Sequence, residues 1–173
     1  MTRNDAEEFT EFVRATAPRL HRAALLLTGD HHLTDDLTQA TYARVYASWR
    51  RVSQADDPLA YARRTLLNTY LSHRRLRRNS ELPADPGLLP PLMTERSRHE
   101  DDHATRMDLL DALATLQPHE RAVLVLRYWE DRSVADTAHD LGITEGAVRT
   151  RSSRALQRLR PLLGTDLTER TPR

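Results

Sequence analysis

The sequence predicts an all-α protein: two small helical domains joined by a flexible linker, the second containing a helix-turn-helix. Three observations predict it. Apolar residues recur at helical spacing through both halves of the chain, and no alternation of period two is sustained anywhere. Residues 79–104 hold four of the nine prolines, scattered acids and few aliphatics spaced for packing, the composition of a connecting segment. A length of 173 residues with 39% hydrophobic content is enough for two modest cores. The expected domains are 8–78 and 105–163, with the linker over 79–104 and a tail over 164–173.

In the first domain, Phe9, Phe12, Val13, Leu20, Ala23, Ala24 and Leu27, and then Leu37, Ala40, Tyr42, Val45, Tyr46 and Trp49, have the spacing of two or three amphipathic helices. Thr28-Gly29-Asp30 is a break, with Gly29 suited to a helix end. Thr34, ahead of Asp35-Asp36, reads as an N-cap with acids in the first turn. A polar loop from Ser53 to Asp57 precedes Pro58, which opens a helix carrying Leu59, Tyr61, Leu66, Leu67, Tyr70 and Leu71. That helix ends in a basic block, Arg74, Arg75, Arg77 and Arg78. In the second domain Leu109, Leu110, Leu113 and Leu116 form one helical stripe; Gln117-Pro118 breaks it, and Ala122, Val123, Val125, Leu126 and Trp129 resume it.

Ser133 to Leu159 carries the sharpest local pattern. Ser133 can cap a helix in which the small Ala138 admits a close neighbour; Gly142 supplies a tight turn, Ile143 packs inward and Thr144 caps a second helix with Val148 on its buried side. This is the spacing of a DNA-reading helix-turn-helix. The second helix bears Arg149, Arg151, Arg154, Arg158 and Arg160 with no acid between the first and the last, whereas a merely solvated helix interleaves both signs. Glu145, Gly146, Arg149, Thr150 and Ser153 are placed for base edges, Arg151 and Arg154 for phosphates or packing.

Net charge is only +1, but it is unevenly distributed. Residues 1–78 hold 13 Arg against 9 acids, 79–104 hold 2 against 6, and 105–173 hold 11 against 10. An acidic middle hides basic ends, which suits a nucleic-acid partner. All 26 basic residues are Arg, whose planar fork fits phosphate. The absence of Cys excludes disulfides and thiolate metal sites. With acids at Asp5, Glu7 and Glu8 in place of a basic, apolar leader and no run long enough to span a bilayer, a cytoplasmic protein with no membrane partner is expected.

A helix-turn-helix alone leaves open a repressor or other regulator that acts without polymerase. The first half narrows this. Asp35-Asp36-Leu37-Thr38-Gln39-Ala40-Thr41-Tyr42-Ala43-Arg44-Val45-Tyr46, followed by Trp49-Arg50, resembles the core-binding helix of bacterial RNA polymerase sigma factors of the extracytoplasmic-function class. Tyr61, Arg64 and Asn68, with the Arg block after them, resemble that class's promoter-melting helix, and Leu116 to Arg160 resembles its second domain. The family commonly has an acid where Ala40 stands.

What the resemblance implies is a division of labour. Asp35, Asp36, Leu37, Gln39, Tyr42, Tyr46 and Trp49 would meet the clamp helices of the polymerase beta-prime subunit. Tyr61, Arg64, Asn68, Arg74, Arg75, Arg77 and Arg78 would hold the melted minus-10 element, with the loop from Arg51 to Asp57 accepting a flipped base. Glu145, Gly146, Arg149, Thr150, Arg151, Ser153 and Arg154 would read the duplex minus-35 element. An anti-sigma partner is implied, no catalysis belongs to the chain itself, and no cofactor is expected. The basic, aromatic-bearing helix suits a single strand on physical grounds as well, with Tyr61 and Tyr70 leading into the Arg block.

His99-Glu100-Asp101-Asp102-His103 matches the zinc-peptidase pattern H-E-x-x-H. Such a helix should be amphipathic and line a cleft, whereas this stretch is polar all round and follows a Pro-rich segment. A small metallopeptidase is therefore the remote alternative, and no metal site is assigned.

Overall fold

The computed structural model describes residues 3–80 and 100–163, with side chains over 5–76 and 107–163. Every regular element among the described residues is helical.

The first helix, α1 (Arg3–Thr28), buries Leu20, Ala23, Ala24 and Leu27. Gly29 ends it at φ +73, its amide bonded to the Leu25 carbonyl, a left-handed conformation that glycine adopts without Cβ strain. The next helix, α2 (His31–Ala47), starts earlier than the expected cap at Thr34. Asp30 caps it, its carboxylate accepting from the Leu33 amide at 2.8 Å. Thr34 is instead fully buried, its hydroxyl donating to the Asp30 carbonyl at 2.7 Å and paired with the Thr28 hydroxyl. Asp35 and Asp36 therefore stand in the second turn. The turn at Gly29 brings Asp30 to the helix start, and its carboxylate takes the free amide first.

A single turn, α3 (Trp49–Val52), follows, then α4 (Pro58–Ser80). Pro58 opens α4 as expected, and Asp57 accepts from the Ala60 amide at 2.9 Å. Leu59, Ala62, Leu66, Leu67 and Tyr70 turn inward against α1 and α2. Arg44 of α2 donates to the Thr69 hydroxyl of α4, tying the two together.

The second domain opens with α5 (Glu100–Ala114), so residues 100–104, expected as linker, have helical backbone. Gln117 and Glu120 form a capping box at the start of α6 (Pro118–Leu124). The chain then widens into a π-helical turn, Val125–Trp129, where Val125 and Leu126 are buried and Tyr128 and Trp129 exposed. The last two helices, α7 (Val134–Leu141) and α8 (Glu145–Leu163), meet as expected. Ser133 caps α7, accepting from the Asp136 amide at 3.0 Å; Gly142 ends it at φ +63; Thr144 caps α8, accepting from the Ala147 amide at 3.2 Å. Val123, Ala138 and Val148 form their common core, with Ile143 half-buried beside it.

The two domains pack against each other. One continuous cluster of buried side chains runs from Leu27, Val45 and Leu66 in the first to Leu116, Leu126 and Leu159 in the second. Small domains bury a poor fraction of their surface alone, and face-to-face packing removes that deficit. Polar ties cross the same contact. Arg19 donates to Glu130 at 2.8 Å, and Arg63 donates to Asp140 at 3.2 Å while lying 3.9 Å from Glu130. Arg121 donates to the Leu26 carbonyl; burial draws its pKa down to about 10.

Candidate nucleic-acid interface

The segment resembling a core-binding helix splits into an outward and an inward set. Asp35, Asp36, Gln39 and Tyr46 are exposed on α2. Asp35 lies 3.1 Å from the His21 ring nitrogen, which ties its carboxylate to α1. Tyr42 is half-buried and shares a hydrogen bond with Thr16 at 2.8 Å; burial pushes its hydroxyl pKa up. Leu37 and Trp49 depart from the expectation of a binding face, because both are buried. Trp49 sits in an aromatic cluster, its ring 5.1 Å from those of Phe9 and Phe12. Leu37 packs inside the first domain's core and Trp49 inside the aromatic cluster, so neither side chain is presented on the exposed face of α2.

On α4, Arg64 and Asn68 are exposed on the side away from the core, as are Arg74 and Arg75 beyond them. The side chains of Arg77 and Arg78 lie outside the described residues. Tyr61 is half-buried near the start of α4 and is held by Arg51, whose guanidinium donates to its hydroxyl at 3.4 Å and stands 5.9 Å from the ring centroid. Hydrogen bonding with Ser48, and then Arg51, holds the Tyr61 pKa below the ordinary tyrosine value. Beside this pair opens a cavity of about 510 Å³ lined by Tyr46, Ala47, Ser48, Trp49, Arg50 and Arg51. Tyr70 offers no stacking face, contrary to expectation: it is buried, and burial raises its pKa. Position 70 follows Ala62, Leu66 and Leu67 on the inward stripe, so helical geometry commits its ring to the core.

On α8, Glu145, Gly146, Arg149, Thr150, Ser153 and Arg154 are all exposed. Arg149 pairs with Glu145 one turn earlier at 2.7 Å, a contact that holds both side chains at the helix start. Arg151 is half-buried, and its Nη1 is buried with no hydrogen-bond partner, which places it on the packing side. Arg158 leaves the basic row: it donates to Glu120 of α6 at 2.9 Å. The acid that the local sequence lacks comes from another helix.

Sequence reasoning does not reach Arg63, Arg121, Glu130 and Asp140, four buried ionisable residues at the domain contact. One signal was available. Arg63 follows Leu59 by four residues and precedes Leu67 by four, a charge on the apolar stripe of its own helix. The peptidase-like stretch gives no comparable signal: His99 and the side chains of residues 100–103 lie outside the described residues.

The comparisons agree with this geometry. Residues 12–80 match the family described as sigma-70 region 2, and residues 112–161 match sigma-70, region 4. The RNA polymerase sigma-E factor of Streptomyces antibioticus is 37% identical over 165 residues, 95% of this chain and 89% of that protein. The ECF RNA polymerase sigma factor SigE of Mycolicibacterium smegmatis is 33% identical over 92% of this chain and 63% of its own length. Among solved structures, the sigma factor RpoE in complex with the anti-sigma factor NepR from Bartonella quintana has the same fold, with a TM-score of 0.70 at 23% identity over 92% of this chain and 99% of that one. CnrH in complex with the cytosolic domain of CnrY gives 0.63 at 22% identity, over 93% of this chain and 90% of that one. Two matched regions in order, separated by an acidic Pro-rich stretch, with relatives that align over more than nine-tenths of this chain, settle the question of kind: this chain belongs to the sigma-70 family, in its extracytoplasmic-function class of RNA polymerase sigma factors.

Proposed function

We propose that the three exposed surfaces divide promoter recognition among them. The chain binds core RNA polymerase and directs promoter-specific initiation, and the polymerase performs the chemistry. On this reading Asp35, Asp36, Gln39, Tyr42 and Tyr46 meet the beta-prime clamp helices. Arg64 and Asn68, with Tyr61 and the Arg block, hold the melted minus-10 strand, and the cavity beside Arg51 receives a base turned out of the stack. Glu145, Gly146, Arg149, Thr150, Ser153 and Arg154 read the minus-35 duplex, while Arg151 supports α8 from behind. The carrying observation is that α4 and α8 each turn an acid-poor, Arg-bearing face outward while Ala62, Leu66, Leu67 and Tyr70 of α4 and Val148, Ala155 and Leu159 of α8 are buried. An outward basic face with no structural duty is free for phosphate.

The compact two-domain fold shared with sigma factors in complex with anti-sigma proteins supports an anti-sigma partner here as well. No helix among the described residues is long and apolar enough to cross a membrane, which fits work beside the polymerase in the cytoplasm.

Run-off transcription from a promoter library, with core polymerase alone and with this protein added, tests the reading. Promoter-specific transcripts are expected only with the protein. Arg149→Ala and Arg154→Ala should weaken upstream binding, each lowering the slope of log affinity against log salt by about 1 where a phosphate contact is lost. Arg74→Ala with Arg75→Ala should leave duplex binding intact and slow strand opening, read by permanganate reactivity of unpaired thymines. Full activity in all three variants overturns the assignment of DNA-facing residues.

A further inference from the structure

The buried stripe that seats α8 is short and apolar: Val148, Ala155 and Leu159. Hydrophobic attraction has no preferred direction, so such a stripe fixes how deep the helix sits more firmly than how it is tilted. Hydrogen bonds to base edges demand more, because they weaken steeply as length and angle depart from their optimum. The face from Glu145 to Arg154 therefore needs a directional tie. One stands near the other end of the same helix.

Arg158 donates from Nη1 to Oε2 of Glu120 at 2.9 Å. The same oxygen accepts the Gln117 amide at 3.2 Å, as half of the capping box that starts α6. One carboxylate oxygen is thus shared between the first turn of α6 and the later turns of α8. The Glu120 side chain is 9% exposed and that of Arg158 50%, so the acid is the fixed partner and the guanidinium reaches in from the surface. An ion pair with one exposed member contributes little to stability. What it adds to the domain is direction.

We propose that Arg158 and Glu120 are positioning residues for the recognition helix: their ion pair sets the tilt of α8, and through it the register of Arg149, Thr150 and Ser153 on the duplex. The proposal rests on the reading of α8 as the helix that enters the minus-35 element, and adds to that reading two residues that touch no base. Leverage carries it. Gly146 and Arg158 stand about 18 Å apart along the axis of α8, so a tilt of about 3° about the Arg158 end moves the reading end by about 1 Å. A shift of that size breaks a bidentate contact, whose two bonds must form together. The competing role for Arg158, one more phosphate contact in the basic row, predicts a different loss.

Holoenzyme assembled from core polymerase and the full-length protein separates the two. The probes are two fluorescent promoter duplexes, one with an upstream element recovered from the promoter library and one with that element scrambled; the ratio of their affinities is the discrimination. Arg158→Ala should lower the discrimination about five- to ten-fold. Affinity for the scrambled duplex should change less than about two-fold, and the slope of log affinity against log salt should stay the same. Glu120→Ala should lower the discrimination as far, although its side chain is buried, and the double variant should lose no more than either single one. Arg158→Lys, which keeps the charge without the planar fork, should fall between parent and alanine variant.

Equal losses on both duplexes, with a salt slope lower by about 1, would make Arg158 a phosphate contact and overturn the proposal. So would full discrimination in Glu120→Ala. If that variant loses helical circular dichroism, Glu120→Gln takes its place, since glutamine still serves a capping box; a loss of about two- to three-fold is then expected, and none overturns the proposal. Arg149→Ala, a change on the reading face itself, tells the two claims apart. Should it lower discrimination while Arg158→Ala and Glu120→Ala do not, the positioning role alone fails; should it too leave discrimination intact, the minus-35 reading of α8 falls and the positioning role with it.

Discussion

At Gly29 the backbone is left-handed, and a Cβ placed there would lie 3.0 Å from the buried guanidinium of Arg121. Gly29→Ala therefore carries two costs, the strained backbone and the displacement of a side chain that bonds the Leu26 carbonyl. A loss of about 1–3 kcal/mol is expected, seen as a lower urea midpoint at unchanged slope. Ser133 is a different kind of residue, exchangeable in shape yet committed in hydrogen bonding. Its hydroxyl, and then Arg132, hold the Asp136 carboxyl below its ordinary 3.8. A depressed acid contributes stability that is full above about pH 4 and lost as pH falls through the folded value. Ser133→Ala should cost about 1 kcal/mol at neutral pH. The difference between parent and variant, followed by urea denaturation, should shrink below about pH 4.

Element by element, the sequence was most readable where one periodicity decides the outcome. The helix-turn-helix is the clearest case: Ser133, Gly142, Thr144 and Val148 all take the roles their spacing assigns. The sequence does not locate the start of α2, because two cap residues, Asp30 and Thr34, lie one turn apart, and the left-handed turn at Gly29 puts Asp30 at the helix start. Tyr70 and Trp49 read as partner-facing in the sequence because an aromatic residue looks alike on either face until the packing of its helix is known. The reverse held for Arg158, whose partner Glu120 sits 38 residues away and leaves no local trace. Periodicity finds a stripe; it does not tell a binding stripe from a second packing one. Arg64 and Asn68 on α4 and Ser153 and Arg154 on α8 were legible as outward positions because they lie off the apolar stripe of their own helix.

For the molecule as a whole, the consequential feature is the core that crosses from one domain to the other. Two 60–80-residue units with separate cores would melt separately, whereas units that share buried leucines and an ion cluster should melt together. Calorimetry of the full chain is expected to give one transition with equal calorimetric and van't Hoff enthalpies; two resolved transitions would show that the contact does not couple the domains. The placement of the two tryptophans gives the same coupling an optical meaning. Trp49 is 5% exposed within the aromatic cluster of the first domain, and Trp129 is 47% exposed beside Glu130 in the second. One indole is thus shielded from a dissolved quencher and the other open to it, so each domain carries its own native fluorophore and their emission can be told apart without a dye.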